Sequence, residues 1–232
     1  MVIVIIPAAG QGKRMGAGQN KVLLPLAGRP VLFHSLYTFA KCPQIKQIIV
    51  VSAADEVADM IKLLMPLEGL PKWQVVAGGS ERQYSIANAL SAVAANAEVV
   101  LVHDAARPLI SRACVERVIE GAYTHQAVVA AVPVKNTIKL ADKEGVITDT
   151  PKRSELWSVQ TPQGFEVNLL KRAYQQAAQD DFLGTDDASL VERMGVKVRV
   201  VPGSYENIKI TTPEDLIIAE ALYQVRKERK GR

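Results

Sequence analysis

The sequence predicts an α/β protein with a mostly parallel sheet, helices on both faces and a projecting β-hairpin arm. Three observations predict it. Residues 2–6, 99–102 and 128–132 are unbroken apolar runs, as expected of strands covered on both faces. Between such runs the apolar spacing becomes helical, giving a strand-helix rhythm. After Pro133 that rhythm breaks into two alternating stretches around a turn.

The first strand, residues 2–6, runs into Pro7-Ala8-Ala9-Gly10 and a loop holding Gly10, Gly12, Gly16 and Gly18. Residues 30–40 read as a helix with Leu32, Leu36 and Phe39 on one face and Pro30 in the first turn. Residues 48–51 form a strand, and 55–65 a helix presenting Val57, Ile61 and Leu64. A short strand, 74–76, ends at Gly78-Gly79. Ser80-Glu81-Arg82-Gln83 then has the spacing of a capping box and opens a helix through residue 95. The strand at 99–102, a helix at 111–124 and a strand at 128–132 continue the rhythm. Residues 135–140 and 146–150 alternate around Asp142-Lys143-Glu144-Gly145, a hairpin rather than a strand-helix unit. A helix at 166–178, a helix at 186–194 stopped by Gly195, and strands at 196–201 and 207–211 follow. The final helix begins with Thr212 as N-cap, Pro213 at the first position and acids in the first turn. No repeat or linker divides the chain. The sequence therefore reads as one Rossmann-like domain over 1–232, with an arm at about 135–155.

Composition sets bounds. The 232 residues suffice for a substantial core, and 48% hydrophobic with 22% charged residues is ordinary for a globular protein. The net charge of +4 owes much to the basic run Arg226-Lys227-Glu228-Arg229-Lys230-Gly231-Arg232, which reads as a solvated helix end and not as a nucleic-acid site. The two cysteines, Cys42 and Cys114, form no motif, as in a reducing cytoplasm. The first apolar run is too short for a membrane span and lacks the charged flank of a signal peptide. A cytoplasmic protein without membrane or nucleic-acid partners is expected.

Ligands of such sheets bind beyond the carboxyl ends of strands. In the first loop, small residues let backbone N–H groups approach a ligand, and Lys13, Arg14 and Lys21 supply three cations. That suits a polyphosphate, against the plainer reading of a glycine-rich turn with solvated charges. Two familiar phosphate loops do not match. Met15 stands where a dinucleotide fingerprint needs its third glycine, and no Gly-Lys-Ser/Thr triplet occurs. Gly78-Gly79-Ser80-Glu81-Arg82 suits a phosphate, a flat base, or simply a capped helix start. His103-Asp104-Ala105-Ala106-Arg107-Pro108 puts a carboxylate at a strand end. There it suits Mg²⁺, a hard cation that takes carboxylate and phosphate oxygens, or an Asp–Arg pair that steadies the turn. His103, beside a buried strand, reads as structural.

Ala-Ala-Gly-x-Gly-x-Arg-Met, Lys21, Leu24-Pro25 and Gly28-x-Pro30 together resemble the signature of nucleotidyltransferases that couple a nucleoside triphosphate to a phosphorylated small molecule. Gly-Gly-x-Glu-Arg-x-x-Ser, His-Asp-Ala-Ala-Arg-Pro and Asn207-Ile208-Lys209-Ile210-Thr211 narrow the resemblance. The pattern is similar to the 2-C-methyl-D-erythritol 4-phosphate cytidylyltransferase family of non-mevalonate isoprenoid biosynthesis, from residue 5 to about 219. One departure is Asn20, where the family often has proline.

The resemblance implies transfer of CMP from CTP to the polyol phosphate, with loss of pyrophosphate. It makes Arg14, Lys21 and Lys209 catalytic. It places Ala8, Ala9, Gly10, Gly12, Lys13, Gly79, Ser80 and Ser85 against the nucleotide. It assigns Asp104, Arg107, Thr137, Arg153, Thr161 and Lys209 to the acceptor side, with Mg²⁺ on Asp104. Thr185-Asp186 matches a recurrent segment with no role beyond capping a helix. The nearest rival activity is transfer to another polyol phosphate such as ribitol 5-phosphate; a rival of another class is a non-catalytic nucleotide-binding protein. The hairpin, marginal alone and carrying Ile138, Leu140, Val146 and Ile147, needs cover. A two-fold partner supplies it economically, so a homodimer with sites shared between chains is expected. The alternative is an arm folded on its own domain, with Thr137 and Arg153 acting within one chain.

Overall fold

The computed structural model describes residues 1–10 and 20–230. Gly12, Lys13 and Arg14 of the first loop lie outside the described residues. The chain starts with β1 (Val2–Pro7), a small ribbon of β2 (Pro25–Leu26) and β3 (Arg29–Pro30), α1 (Val31–Ala40) and β4 (Ile45–Ser52). It continues through α2 (Val57–Leu64), β5 (Lys72–Ala77), α3 (Arg82–Ser91), β6 (Val99–Val102), α4 (Arg112–His125) and β7 (Ala127–Pro133). The arm carries β8 (Leu140–Ala141) and β9 (Ile147–Asp149). Then come β10 (Trp157–Glu166), α5 (Val167–Gln179), α6 (Asp187–Arg193), β11 (Arg199–Pro202) and α7 (Pro213–Lys230).

Seven strands form the central sheet in the order β11-β7-β10-β6-β1-β4-β5. All pairs are parallel except those of β10, which runs antiparallel to β6 and β7. β1 shows why the apolar run has no alternation. Val2, Val4 and Ile6 pack with Leu36 and Phe39 of α1 and Val115 and Val118 of α4, whereas Ile3 and Ile5 pack with Ile86 of α3 and Leu170 of α5. A smaller cluster of Leu26, Val31, Leu109, Ile210 and Ala219 seats α7.

Side chains cap three helices, at Asp186 and Thr212 as the sequence leads one to expect and at Ser111 in addition. The Ser111 hydroxyl accepts from Cys114 N at 3.2 Å, Asp186 and Ser189 form a reciprocal box, and Thr212 accepts from Asp215 N at 3.4 Å. The structure corrects several other expectations. Pro30 belongs to β3 and is the N-cap of α1 rather than a first-turn residue. Ser80 to Gln83 is no capping box, because Glu81 is the N-cap and makes no side-chain cap bond. Gln83 is drawn away by the 182–184 loop, accepting from Gly184 N at 2.9 Å and donating to Phe182 O at 2.9 Å. α3 stops at Ser91, and β11 starts at Arg199 because Val196 and Val198 pack into the second core cluster.

Residues 207–211 are not a strand. Their alternation reflects Ile208 and Ile210 anchoring against α7, and Ile210 N donates to Ala106 O at 2.8 Å. The largest surprise is β10, ten residues reading WSVQTPQGFE, which the sequence reading leaves unassigned. Proline, glycine and polar residues argue against a central strand. The ladder with β7 skips from Val159 to Gln163, and Pro162 sits in that gap, where no N–H is needed.

The arm's strands pair only with each other and stay out of the central sheet. Its turn is closed by the Asp142 carboxylate, which accepts from Val146 N at 2.9 Å, while Gly145 takes the left-handed φ of 84°. Ile138, Leu140, Val146 and Ile147 are 38–60% exposed.

Candidate active site

The carboxyl ends of β1, β5 and β6 open onto one cleft. It is lined by Ala8, Ala9, Gly10, Lys21, Gly79, Ser80, Arg82, Ser85, Asp104 and Lys209 among others. Nine residues singled out from the sequence thus meet in one place. The tenth, Arg82, belongs to a quoted motif but had no role.

Each wall has a local cause. Ala8 N donates to Val51 O at 2.7 Å, continuing β1 past its last residue. Asn20 is buried, donates to Ala8 O at 2.7 Å and caps the 3₁₀ turn Lys21–Leu23 through Val22 N. It therefore ties the end of the first loop to the end of β1 and fixes where Lys21 enters the cleft. On the β5 side, Gly78 and Gly79 are there for want of room. A Cβ on Gly78 would meet Ser85 Oγ at 2.8 Å, and one on Gly79 would meet Tyr84 Cβ at 2.6 Å. The Ser85 hydroxyl accepts from Gly79 N at 3.1 Å and holds this turn flat against α3.

Asp104 is the electrostatic centre. Lys209 Nζ lies 2.7 Å from its Oδ2, Arg82 Nη2 3.4 Å from its Oδ1, and Arg107 Nε 4.0 Å from its Oδ2. Burial alone pushes the carboxyl up, but the three cations outweigh it and hold it well below the usual carboxylate range. Asp104 is thus an anion at any working pH. Burial lowers the Arg107 guanidinium, and Asp104 restores part of that. Arg107 Nη1 donates to Asn207 O at 2.7 Å, so this side chain also holds the segment that carries Lys209.

Beneath Asp104 lies a neutral hydrogen-bonded layer that joins Thr161, expected on the acceptor side, to His103, expected to be structural; their bonding to one another was not foreseen. Thr161 Oγ1 accepts from Asp104 N at 3.0 Å and lies 3.2 Å from His103 Nδ1. His103 Nε2 lies 3.2 Å from Arg107 O. One proton arrangement satisfies all three contacts: Thr161 donates to Nδ1, and Nε2–H donates to the carbonyl. Asn207 donates to Thr161 O at 2.8 Å, and Gln160 Nε2 donates to Ser204 O at 2.8 Å. Of these polar residues of β10, Thr161 holds the Asp104 loop and Gln160 holds the segment from Ser204 to Asn207, and nothing in their spacing signals that.

Burial pushes the His103 imidazole down to about 4 from 6.5. Between these values the unfolded chain takes up a proton that the folded ring refuses, so stability falls as pH falls through that window. From pH 7 to 5 the loss due to His103 is expected to be about 2 kcal/mol. Denaturant unfolding at both pH values should show it, and His103→Gln should remove most of the slope. An unchanged slope would mean that this ring takes up its proton as readily in the fold as in the unfolded chain.

Thr137 and Arg153 sit on the arm, outside the lining of this cleft. Arg153 Nη1 donates to Lys135 O at 3.0 Å. Asp186 caps α6, and its carboxylate accepts from Gln163 Nε2 at 2.7 Å.

A cleft at the carboxyl ends of parallel strands, floored by small residues and lined by Lys21, Arg82 and Lys209 about the ionised Asp104, defines a nucleotidyltransferase. Residues 2–225 match the 2-C-methyl-D-erythritol 4-phosphate cytidylyltransferase family. A relative of that name from Bacillus mycoides is 50% identical over 228 residues, covering 98% of this chain and all of its own. One from Caldanaerobacter subterraneus is 47% identical over 220 residues, covering 94% and 97%. The solved 4-diphosphocytidyl-2C-methyl-D-erythritol synthase of Anaerococcus prevotii superposes with a TM-score of 0.85 at 33% identity, covering 97% of this chain and 98% of its own. The chain belongs to the 2-C-methyl-D-erythritol 4-phosphate cytidylyltransferase family.

Proposed function

We propose that this chain transfers CMP from CTP to 2-C-methyl-D-erythritol 4-phosphate, giving 4-diphosphocytidyl-2-C-methyl-D-erythritol and pyrophosphate. The observation that carries the reading is Asp104, ionised between Lys209 and Arg82 at the mouth of a cleft whose other wall holds Lys21. An acceptor phosphate oxygen attacks the α-phosphorus, and the bond to the bridging oxygen of the β-phosphate breaks. The nucleophile is already an anion, so no covalent enzyme intermediate and no general base are needed. Positioning and charge stabilisation are the protein's contribution.

Ala8, Ala9, Gly10, Gly79, Ser80 and Ser85 offer backbone groups and little volume, which suits cytosine better than a purine. Lys21, with Gly12, Lys13 and Arg14 of the preceding loop, takes the triphosphate. Lys209 and Arg107, with Thr161 beneath them, face the acceptor. Among the described residues no cluster of three or more His, Cys, Asp or Glu side chains forms a closed metal site. One ionised carboxylate facing a phosphate cleft is nonetheless the donor set Mg²⁺ takes when phosphates and water complete its shell. Asp104 would hold the cation, which would neutralise phosphate oxygens as charge develops.

Mixing CTP, Mg²⁺ and 2-C-methyl-D-erythritol 4-phosphate should release pyrophosphate. Replacing CTP by ATP or GTP, replacing the acceptor by ribitol 5-phosphate, or adding EDTA should each suppress release by at least about tenfold, the scale of one pocket contact. Equal rates with a purine triphosphate would overturn the base-pocket assignment, and full activity in EDTA the metal assignment.

The protein is read as a cytoplasmic homodimer, one domain per chain, with the arm as the exchange element. Two features support this: the arm's exposed apolar side chains, and the placing of Thr137 and Arg153 outside their own chain's cleft. No helix of the described residues is long and apolar enough to cross a membrane. Complementation tests the shared site. Chains carrying Lys21→Ala and chains carrying Arg153→Ala, each inactive alone, should regain about a quarter of wild-type activity after statistical subunit exchange, since mixed dimers form a two-fold pair with one intact site. No recovery after proven exchange would place Arg153 in its own chain's cleft.

A further inference from the structure

Behind Asp104 a second carboxylate has no part in the chemistry described so far. Asp187, the first residue of α6, is fully buried. Arg82 Nη2 donates to its Oδ2 at 2.8 Å, and Tyr174 of α5 donates its phenolic proton to Oδ1. The same Arg82 nitrogen lies 3.4 Å from Asp104 Oδ1, within ion-pair distance but without a hydrogen bond. One guanidinium is therefore divided unequally between two carboxylates, and the buried one takes the larger share.

The scaffold around Asp187 is fixed from two sides. Gln163 of β10 accepts from Ala188 N at 3.0 Å and donates to Asp186 at 2.7 Å. Gln83, next to Arg82, is bonded at both ends of its amide to the 182–184 loop. Both partners of the Arg82–Asp187 bond are thus held to one another through backbone, and the guanidinium cannot follow Asp104 freely.

The consequence lies at Asp104. Lys209 already occupies Oδ2 at 2.7 Å. An unrestrained Arg82 would close on Oδ1, because a planar guanidinium prefers full engagement with a carboxylate. Both oxygens would then be taken. We propose that Asp187, backed by Tyr174, is a positioning residue for cytidylyl transfer: it draws Arg82 off Asp104 and keeps Oδ1 open to the divalent cation that accompanies CTP. This rests on the assignment of Asp104 as the metal-side carboxylate.

The test measures metal as well as turnover. Asp187→Asn keeps the shape and removes the charge that holds Arg82. The Mg²⁺ concentration for half-maximal pyrophosphate release should rise about tenfold, with kcat at saturating metal within about threefold of wild type. Mn²⁺ binding to the protein–CTP complex, followed by water-proton relaxation, should weaken by the same factor. Tyr174→Phe, which removes a hydroxyl and adds no bulk, should move both readouts in the same direction by about two- to threefold. With Arg82 replaced by Met, Asp187→Asn should produce no further change, since the element it restrains is gone. Unchanged Mg²⁺ requirement and Mn²⁺ binding in Tyr174→Phe and in folded Asp187→Asn would overturn the proposal, as would a fall in kcat with metal affinity intact. A wild-type protein that binds Mn²⁺·CTP but releases no pyrophosphate would instead fault the functional reading, and the relaxation measurements would still decide the role of Asp187.

Discussion

Replacing Lys21 by alanine is expected to lower kcat by about 10²–10³-fold, the usual scale for one preorganised charge aimed at a developing anion. Lys21 opens a 3₁₀ turn whose N-cap, Asn20, is bonded to the end of β1, so its backbone stays in place when the side chain is cut. The loss should therefore fall on turnover, with a smaller change in the KM for CTP. Steady-state pyrophosphate release with both substrates varied separates the two. Near-normal kcat in a folded Lys21→Ala protein would remove Lys21 from the transition state.

Asp104→Asn should be comparably severe and should also weaken the fold. Activity is expected to drop at least about 100-fold, because the amide offers a poor ligand to a hard cation and no longer balances Lys209 and Arg82. Stability should fall by about 1–2 kcal/mol, less than for a dry ion pair, because Lys209 and Arg82 keep two-fifths and one-third of their side chains exposed. For a chain of this size that is a Tm lower by roughly 2–8 °C. An active Asp104→Asn protein with lowered Tm would make Asp104 a structural counter-ion and no more.

How much of this was legible in the sequence depends on the range of the interaction. β1, β6 and β7 announce themselves because a strand covered on both faces needs apolar residues at every position. The starts of α6 and α7 show because a cap is a contact within four residues. β10 stayed hidden because its inner positions are spent on Gln160, Thr161 and Gln163, whose partners lie over 20 residues away or on other elements. Residues 207–211 misled for the opposite reason: alternation is also what a straight segment shows when it anchors two isoleucines under a helix. The cleft was legible where ligand chemistry restricts residue type, at Ala8, Gly10, Gly79, Lys21 and Asp104. The Arg82–Asp187–Tyr174 set was not, since residues 82 and 187 meet only once α3 and α6 are packed.

The root of the arm has a consequence for folding energetics. The chain leaves the sheet at Pro133 and rejoins it at Trp157, and these two residues are partners in the ladder. Val134 N still donates to Leu156 O at 3.1 Å just outside it. In polymer terms residues 134–156 form a long loop closed by a ladder that a tight two-residue turn would close equally well. The difference in closure entropy is about 2 kcal/mol. The sheet would be that much more stable with the arm trimmed to a turn, a burden that a chain of marginal net stability carries when the excursion serves something other than its own fold.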